Sequence, residues 1–341
     1  SECLVGSEMC IRDRYKEGFQ FDNFYTPIFP VSTADGEYIT DTSLIPKEGV
    51  WSFLRVAGNY MPYSYANVFE KQGYSSNAYH NHTATYYERD KYIETMGYNS
   101  YLAVGTGLED RMDTSNWPNS DYEMVKNTVN DYINNEKFMA YYMTVSGHMN
   151  YTKIGNMMVY RNWDQVKDLP YSNKAKGYLA ANIELDKAVG ELLSRLEQAG
   201  KLEDTVIVIS GDHYPYGLTL GEINELSTFE RDDKFEKFRM PFLIWSGSMK
   251  GPIKVEKIGS SLDVLPTVLN LFGAEFDSRL LMGRDILSDS HSIVIFSDRS
   301  FITDKGRYNS LTEQFTPNEG VTVEAVSYTH LTLPTIRLLS I

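Results

Sequence analysis

Apolar residues recur at two periods along the chain, and the alternation between them lays out its elements. In "NYMPYSYANVFEKQGY" Pro62 stands near a helix start, Tyr65, Val68 and Phe69 share one face, and Gly73 marks the stop. "SNAYHNH" follows as a short strand and its exit. "SDYEMVKNTVNDYI" opens on Ser120 with Glu123 three residues on, the signature of a capping box, ahead of Val125, Val129, Tyr132 and Ile133 at helical spacing. "FMAYYMTVSGH" is an apolar run of strand length. The longest helical pattern, "SNKAKGYLAANIELDKAVGELLSRLEQAGK", carries Tyr178, Ala181, Leu185, Val189, Leu192 and Leu196 as its stripe and ends at Gly200. "TVIVIS" and "PFLIWSG" read as further buried strands, and "SLDVLPTVLNLFG" as a further helix.

Strands apolar on both faces and separated by helices predict an α/β fold, a three-layer sandwich whose mostly parallel central sheet is flanked by helices. In such a sheet ligands bind beyond the carboxyl ends of the strands. The run Thr205–Ser210 leads into Gly211, Asp212 and His213, which places two polar groups on that rim. Extended chain would turn Asp212 and His213 to opposite faces, but Gly211 permits a bend that aims both at one ion. A carboxylate beside a neutral imidazole suits Mn²⁺ or Zn²⁺. The plainer alternative is an Asp212 that caps a helix beside a surface histidine.

The histidines strengthen the rim reading. His80, His82, His148 and His213 all fall at predicted strand exits, leaving His291 elsewhere and His330 near the end of the chain. In extended chain His80 and His82, two apart, point to one face. Any one of them could simply bond a backbone group; their convergence with Asp212 predicts a site.

Composition changes the picture at the termini. "SECLVGSEMCIRDR" and "VSYTHLTLPTIRLLSI" share no pattern with the rest and resemble translated sequencing-adapter read-through. Residues 1–14 and 326–341 are therefore set aside as a non-native head and tail, and 15–325 are read as one domain. Both cysteines, Cys3 and Cys10, lie in that head, which leaves no disulfide framework, thiolate metal site or cysteine nucleophile. The net charge of −14 survives the trimming and argues against nucleic acid and against unaided adsorption to anionic lipid. No apolar run approaches the roughly 18 residues of a membrane span.

Four segments in order, "YYMTVSGHMNY", "DTVIVISGDHYPYG", "LDVLPTVLNLFG" and "MGRDIL", make the chain similar to the extracellular domain of the lipoteichoic acid synthase family, within the alkaline phosphatase/sulfatase superfamily. The likeness runs over most of residues 15–310. It implies a threonine nucleophile in a Thr-Ser-Asp-like segment; "FPVSTADGEY" matches, nominating Thr33, with Ala34 in place of the usual serine. Without the resemblance Thr33 would read as a turn residue. The same likeness makes Thr33, Asp212 and His213 ligands of one divalent ion, Mn²⁺ before Zn²⁺ or Mg²⁺, and sets His80, His82, Arg89 and His148 around a glycerophosphate group. His82 replaces an aspartate found in many members, and Tyr87 in "TYYERD" replaces a tryptophan. Taken alone, Arg89 and Asp90 read equally well as a surface pair at a helix start. Members also carry a glutamate ligand at the end of a first strand upstream of the threonine. Nothing before Thr33 reads as that strand, and Glu17 in "RYKEGF" has no apolar run ahead of it, so the expectation is that the first strand and one ligand were lost where the adapter-like head begins.

The implied activity is phosphoglycerol transfer from a phosphatidylglycerol-like lipid, through a phospho-threonine, to a polymer or glycan hydroxyl. Phosphoryl transfer asks a protein mainly for positioning and charge stabilisation, and a threonine hydroxyl needs a metal to become reactive near neutral pH. His148 and His80 would bond phosphoryl oxygens or protonate the leaving group, and Arg89 would clamp the phosphate. An acidic domain repels an anionic lipid, so tethering by transmembrane helices outside this chain is expected, at the extracellular face of a bacterial membrane. A phosphoethanolamine transferase or phosphodiesterase would use the same groups. A formylglycine sulfatase would need a cysteine that the domain lacks, and an inactive teichoic-acid- or glycan-binding domain would show no turnover. The Asn-x-Thr sequons at Asn81 and Asn150 read as chance.

Overall fold

The computed structural model describes residues 9–322. The chain enters through helix α1 (Cys10–Glu17), two short strands β1 (Phe19–Phe21) and β2 (Phe24–Tyr25), and helices α2 (Thr33–Thr42), α3 (Ser52–Val56) and α4 (Tyr65–Glu70). A βαβ series follows: β3 (Ser75–Thr83), α5 (Arg89–Thr95), β4 (Ser100–Val104), α6 (Asp121–Thr128), β5 (Phe138–Met143), α7 (Met157–Asn162), α8 (Asn173–Gln198) and β6 (Val206–Ser210). After α9 (Leu220–Glu225) come β7 (Phe242–Ser246), β8 (Ile253–Val255), β9 (Gly259–Ser260) and α10 (Val264–Leu271). Four short strands close the described chain: β10 (Ile293–Ile295), β11 (Phe301–Thr303), β12 (Gly306–Asn309) and β13 (Gln314–Pro317).

The central layer is parallel over three of its strands. β4, β3 and β5 lie side by side in parallel, with Tyr79 opposite Leu102 and Tyr142. The remainder, in the order β6-β7-β1-β8, alternates: β7 runs antiparallel to both β6 and β1, and β1 runs parallel to β8. Two apolar clusters cover the layer. One gathers Phe69, Phe242, Ile244, Leu265 and Leu269; the other gathers Tyr79, Tyr132, Leu193, Leu196 and Trp245.

The helix patterns translate into capped, half-buried helices. In α4 Tyr65, Val68 and Phe69 are buried as the periodicity predicts. Ser120 caps α6 by accepting from the Glu123 N–H at 3.0 Å, but the reciprocal half of the box is replaced: the Glu123 carboxylate faces Arg161 at 3.4 Å. In α8 Ser172 caps the start, and Ala181, Val189 and Leu196 of the expected stripe are buried. Two departures stand out. Residues 10–14, set aside with the head, lie in α1, where the Asp186 carboxylate accepts from the N–H groups of Cys10 at 3.1 Å and Ile11 at 2.8 Å and so ties the helix start to α8. The antiparallel unit β10–β13 was not read from the sequence; its strands are three or four residues long, too short to show a period. Cys3 and the segment 326–341 lie outside the described residues.

Candidate active site

Helix α2 and the turn after β6 meet because of a glycine. A Cβ on Gly36 would stand 2.3 Å from the Asp212 carbonyl oxygen, so only glycine lets the helix press onto that turn. One turn before Gly36, Thr33 opens α2 behind Ser32, whose φ of 49° is a rare conformation for a non-glycine residue. The Thr33 Oγ1 thereby comes within 3.3 Å of His213 Nε2. The same Nε2 lies 3.3 Å from Asp212 Oδ2. His213 Nδ1 sits 2.8 Å from the Tyr214 carbonyl and so carries the proton, which leaves Nε2 as a lone pair. Tyr216 holds the assembly from outside: its ring lies 4.6 Å from that of His213, and its hydroxyl accepts from Ser32 Oγ at 3.2 Å.

A lone pair on Nε2 aimed at a carboxylate oxygen is repulsive unless a positive centre joins them. The hydroxyl, carboxylate and imidazole therefore fit a hard or borderline divalent cation better than they fit one another. Among the described residues no three His, Cys, Asp or Glu side chains converge as a metal-binding group. An ion here would be held by Asp212, His213 and the Thr33 hydroxyl. The side chains of His213 and Asp212 keep 16% and 29% of their exposure, so the site is open to substrate.

Across the same cavity stand His148 and His82. The rings of both pack on Trp117, at 5.1 and 5.0 Å, and His82 also meets Tyr86 at 4.8 Å. Nδ1 of His148 bonds the Met149 carbonyl at 2.6 Å, leaving Nε2 outward. Nδ1 of His82 is buried and has no hydrogen-bond partner among the described residues. Burial, then the charge of Arg89, lowers the His82 pKa and keeps its ring neutral. The exits of β3 and β5 that carry these histidines are tied by Asp121. It accepts from Asn81 Nδ2 at 2.8 Å and from the N–H of Val145 at 2.9 Å, and burial raises its pKa to about 6 against those donors. Asn81 is thus fully buried inside a sequon.

His80 and Arg89 are placed differently from the expectation. His80 is 2% exposed and Arg89 1%. Nε of Arg89 donates to both oxygens of Glu37, at 3.1 and 3.0 Å, and a terminal nitrogen adds a further short contact. The other terminal nitrogen donates to His80 Nε2 at 3.2 Å and to the Tyr86 carbonyl at 3.3 Å. His80 Nδ1 in turn donates to the Met143 carbonyl at 2.8 Å. Burial first, then Arg89, lowers the His80 pKa to about 3. Both ring nitrogens of His80 are engaged, Arg89 spends four of its five N–H donors on Glu37, His80 and the Tyr86 carbonyl, and Arg89 does not form the surface pair with Asp90. The partner of Arg89, Glu37, was missed. Its signal was spacing: Glu37 follows Thr33 by four, on the same helical face. Asp121 was also missed, with only its place at the start of a helix between two rim strands to mark it.

The family described as Sulfatase matches residues 14–274. Lipoteichoic acid synthase 2 of Bacillus subtilis is 25% identical over 296 residues, covering 85% of this chain and 44% of that protein. The lipoteichoic acid synthase of Staphylococcus saprophyticus is 26% identical over 305 residues, covering 86% and 45%. The chain thus spans about half the length of these curated relatives. The crystal structure of a lipoteichoic acid synthase from Listeria monocytogenes superposes with a TM-score of 0.76 at 24% identity, over 92% of this chain and 80% of that one, which establishes the shared fold.

Proposed function

Because the chain belongs to the sulfatase family, we propose that it is a metal-dependent phosphoglycerol transferase of the lipoteichoic acid synthase type, with Thr33 as nucleophile. The carrying observation is the 3.3 Å approach of Thr33 Oγ1 to His213 Nε2, which also faces Asp212. A divalent ion bound by these three groups, Mn²⁺ first and Zn²⁺ or Mg²⁺ otherwise, would lower the pKa of the Thr33 hydroxyl and offset phosphoryl charge.

Thr33 Oγ1 attacks the phosphorus of a phosphatidylglycerol-like lipid; the bond from phosphorus to the diacylglycerol oxygen breaks, and diacylglycerol leaves with a proton. The glycerophosphoryl group now on Thr33 passes to a hydroxyl of a glycerol-phosphate polymer or glycan, which restores the threonine. His148, exposed and with Nε2 outward, is placed to move the proton of the leaving or entering hydroxyl. His82, with Nδ1 unpartnered, lines the same space and meets a phosphoryl or glycerol oxygen. His80 and Arg89 act behind this layer by holding β3, β5 and α2 in place. The setting is the outer face of a bacterial membrane. No helix among the described residues is long and apolar enough to cross it, so attachment is assigned to segments beyond this chain.

The test is release of a chromogenic alcohol from a glycerophosphodiester. Turnover is expected with Mn²⁺, is lost on chelation and returns when the ion is restored; mass spectrometry should find a glycerophosphoryl adduct on the Thr33 peptide. Turnover that survives both chelation and Thr33→Ala would defeat the reading. Adding a glycolipid acceptor separates transfer from hydrolysis, and exchanging glycerol for ethanolamine in the donor separates the two transferases.

A further inference from the structure

One stretch of the chain departs from its acidity. Residues 137–163 hold no aspartate or glutamate, the longest such run in a sequence with 46 of them and a net charge of −14. Within it the turn 152–155 carries Ile154, which is 102% exposed, and α7 carries Tyr160, 65% exposed. The turn is firmly built. Thr152 Oγ1 accepts from the Gly155 N–H at 3.1 Å, and Asn156 caps α7 through the N–H groups of Met158 and Val159. The Asn156 amide also donates to the His148 carbonyl at 2.8 Å. Met158 and Val159, both buried, anchor the inner side of α7. Two ammonium groups flank its outer end: Lys153 and Lys176 lie 5.0 and 5.9 Å from the Trp163 ring, and neither makes an ion pair among the described residues. This patch adjoins the candidate active site. The Met157 N–H donates to the Trp117 carbonyl at 2.9 Å, and Trp117, 41% exposed, lines the cavity and packs on His148.

We infer that Ile154, Tyr160 and Trp117, flanked by Lys153 and Lys176, form a docking face for an anionic phospholipid bilayer, set beside the mouth of the cavity; the inference rests on the lipid-donor reading above. A single exposed apolar side chain is ordinary on a protein surface. Here an aliphatic side chain at the apex of a turn, two aromatic rings with polar tips and two unpaired ammonium groups occur together. A bilayer interface takes that combination: the aliphatic group enters the acyl boundary, tyrosine and tryptophan sit among the headgroups, and lysines reach the phosphates. A side chain exposed on every side suits penetration of a fluid layer, whereas a protein partner would have to supply a fitted pocket. Each lysine close to an anionic surface strengthens binding about fivefold. The acidic remainder of the surface is repelled, which turns this face rather than another toward the lipid. The same repulsion keeps the contact weak, so the face orients a domain that is already tethered and sets the cavity mouth where a headgroup can enter.

The test tethers the full chain, through a terminal polyhistidine tag, to vesicles of phosphatidylcholine and phosphatidylglycerol that contain a nickel-chelating lipid. In an Ile154→Trp variant the added emission should shift to the blue and be quenched by phospholipid brominated near the headgroup. Ile253→Trp, at an exposed position on β8, should show neither change. Vesicles of phosphatidylcholine alone, or Lys153→Glu with Lys176→Glu, should abolish the quenching. Ile154→Ser should lower turnover of vesicle phosphatidylglycerol about tenfold and leave turnover of the soluble chromogenic diester unchanged. Four results would overturn the inference: no quenching, equal quenching of Ile253→Trp (adsorption without a preferred face), quenching indifferent to lipid and lysine charge, or an Ile154→Ser defect without quenching (a face for a protein partner). Quenching requires no turnover. A chain inactive on the soluble diester but still quenched would therefore sink the transferase and leave the docking face standing.

Discussion

Thr33 and Glu37 lie one helical turn apart on α2: Thr33 meets His213, which also faces Asp212, and Glu37 meets Arg89, which also reaches His80. At Thr33 the partners, Asp212 and His213, keep part of their exposure and a lone pair without a matched donor. At Glu37 the ion pair with Arg89 is 2% exposed on both sides, and two tyrosine hydroxyls, Tyr92 at 3.2 Å and Tyr141 at 3.1 Å, complete the carboxylate. Similar side chains therefore serve opposite ends. A buried pair survives only when its hydrogen bonds are met internally, and it then has nothing left for a ligand. Reactivity belongs to the cluster whose bonds are incomplete.

The largest expected effect sharpens this contrast. Thr33→Ala should lower turnover about 10³-fold or more, while urea unfolding stays within about 0.5 kcal/mol of the parent because no buried bond is lost. If the variant unfolds early, the two clusters are not separable. Next, Arg89→Ala strands the Glu37 carboxylate in the interior and should cost about 3–5 kcal/mol of stability; an unchanged denaturation midpoint would mean that the pair is solvated in solution.

Acidification tests the same knot through His80. Its folded pKa of about 3 lies below the ordinary 6.5, so the unfolded chain takes up a proton first as pH falls. The stability it contributes is complete above pH 6.5 and is lost between 6.5 and 3, by at most about 1.4 kcal/mol per pH unit. Asp121 slopes the other way. Its folded pKa of about 6 exceeds the ordinary 3.8, so its contribution is present below 3.8 and is lost as pH rises through 6. The difference in stability between parent and His80→Gln, measured from pH 7 to 4, isolates the first slope; a pH-independent difference would place His80 in water. The smallest change is Tyr141→Phe, which deletes one bond to Glu37 and should cost about 1 kcal/mol. A cost indistinguishable from zero would show that Glu37 is satisfied without it.

Much of this was legible in the sequence where a local rule applies. The run Val206–Ile209 ahead of Gly211, Asp212 and His213 announced a strand with a polar exit, because β-rise and rim placement need no distant partner; the burial it also announced holds only at Ile207. Val189 and Leu196 announced the buried stripe of α8 by spacing alone. Leu185 and Leu192, on the same stripe, are only half-buried, since burial depends on what lies across from them, here the gap between β5 and β6. Arg89 read as an open phosphate clamp because residue type suggests function but not depth. Its partner is 52 positions away, and both are buried where α2 meets the start of α5.

The sequence by itself determined where the longer strands and helices lie, and which residues could do chemistry at the strand ends, since both follow from periodicity and side-chain type within a few neighbours. Tertiary structure alone decided that Thr33 reaches His213, through the missing Cβ of Gly36, and that His80 and Arg89 are sealed. Proximity and dielectric environment are properties of segments brought together from afar. No window of sequence contains them.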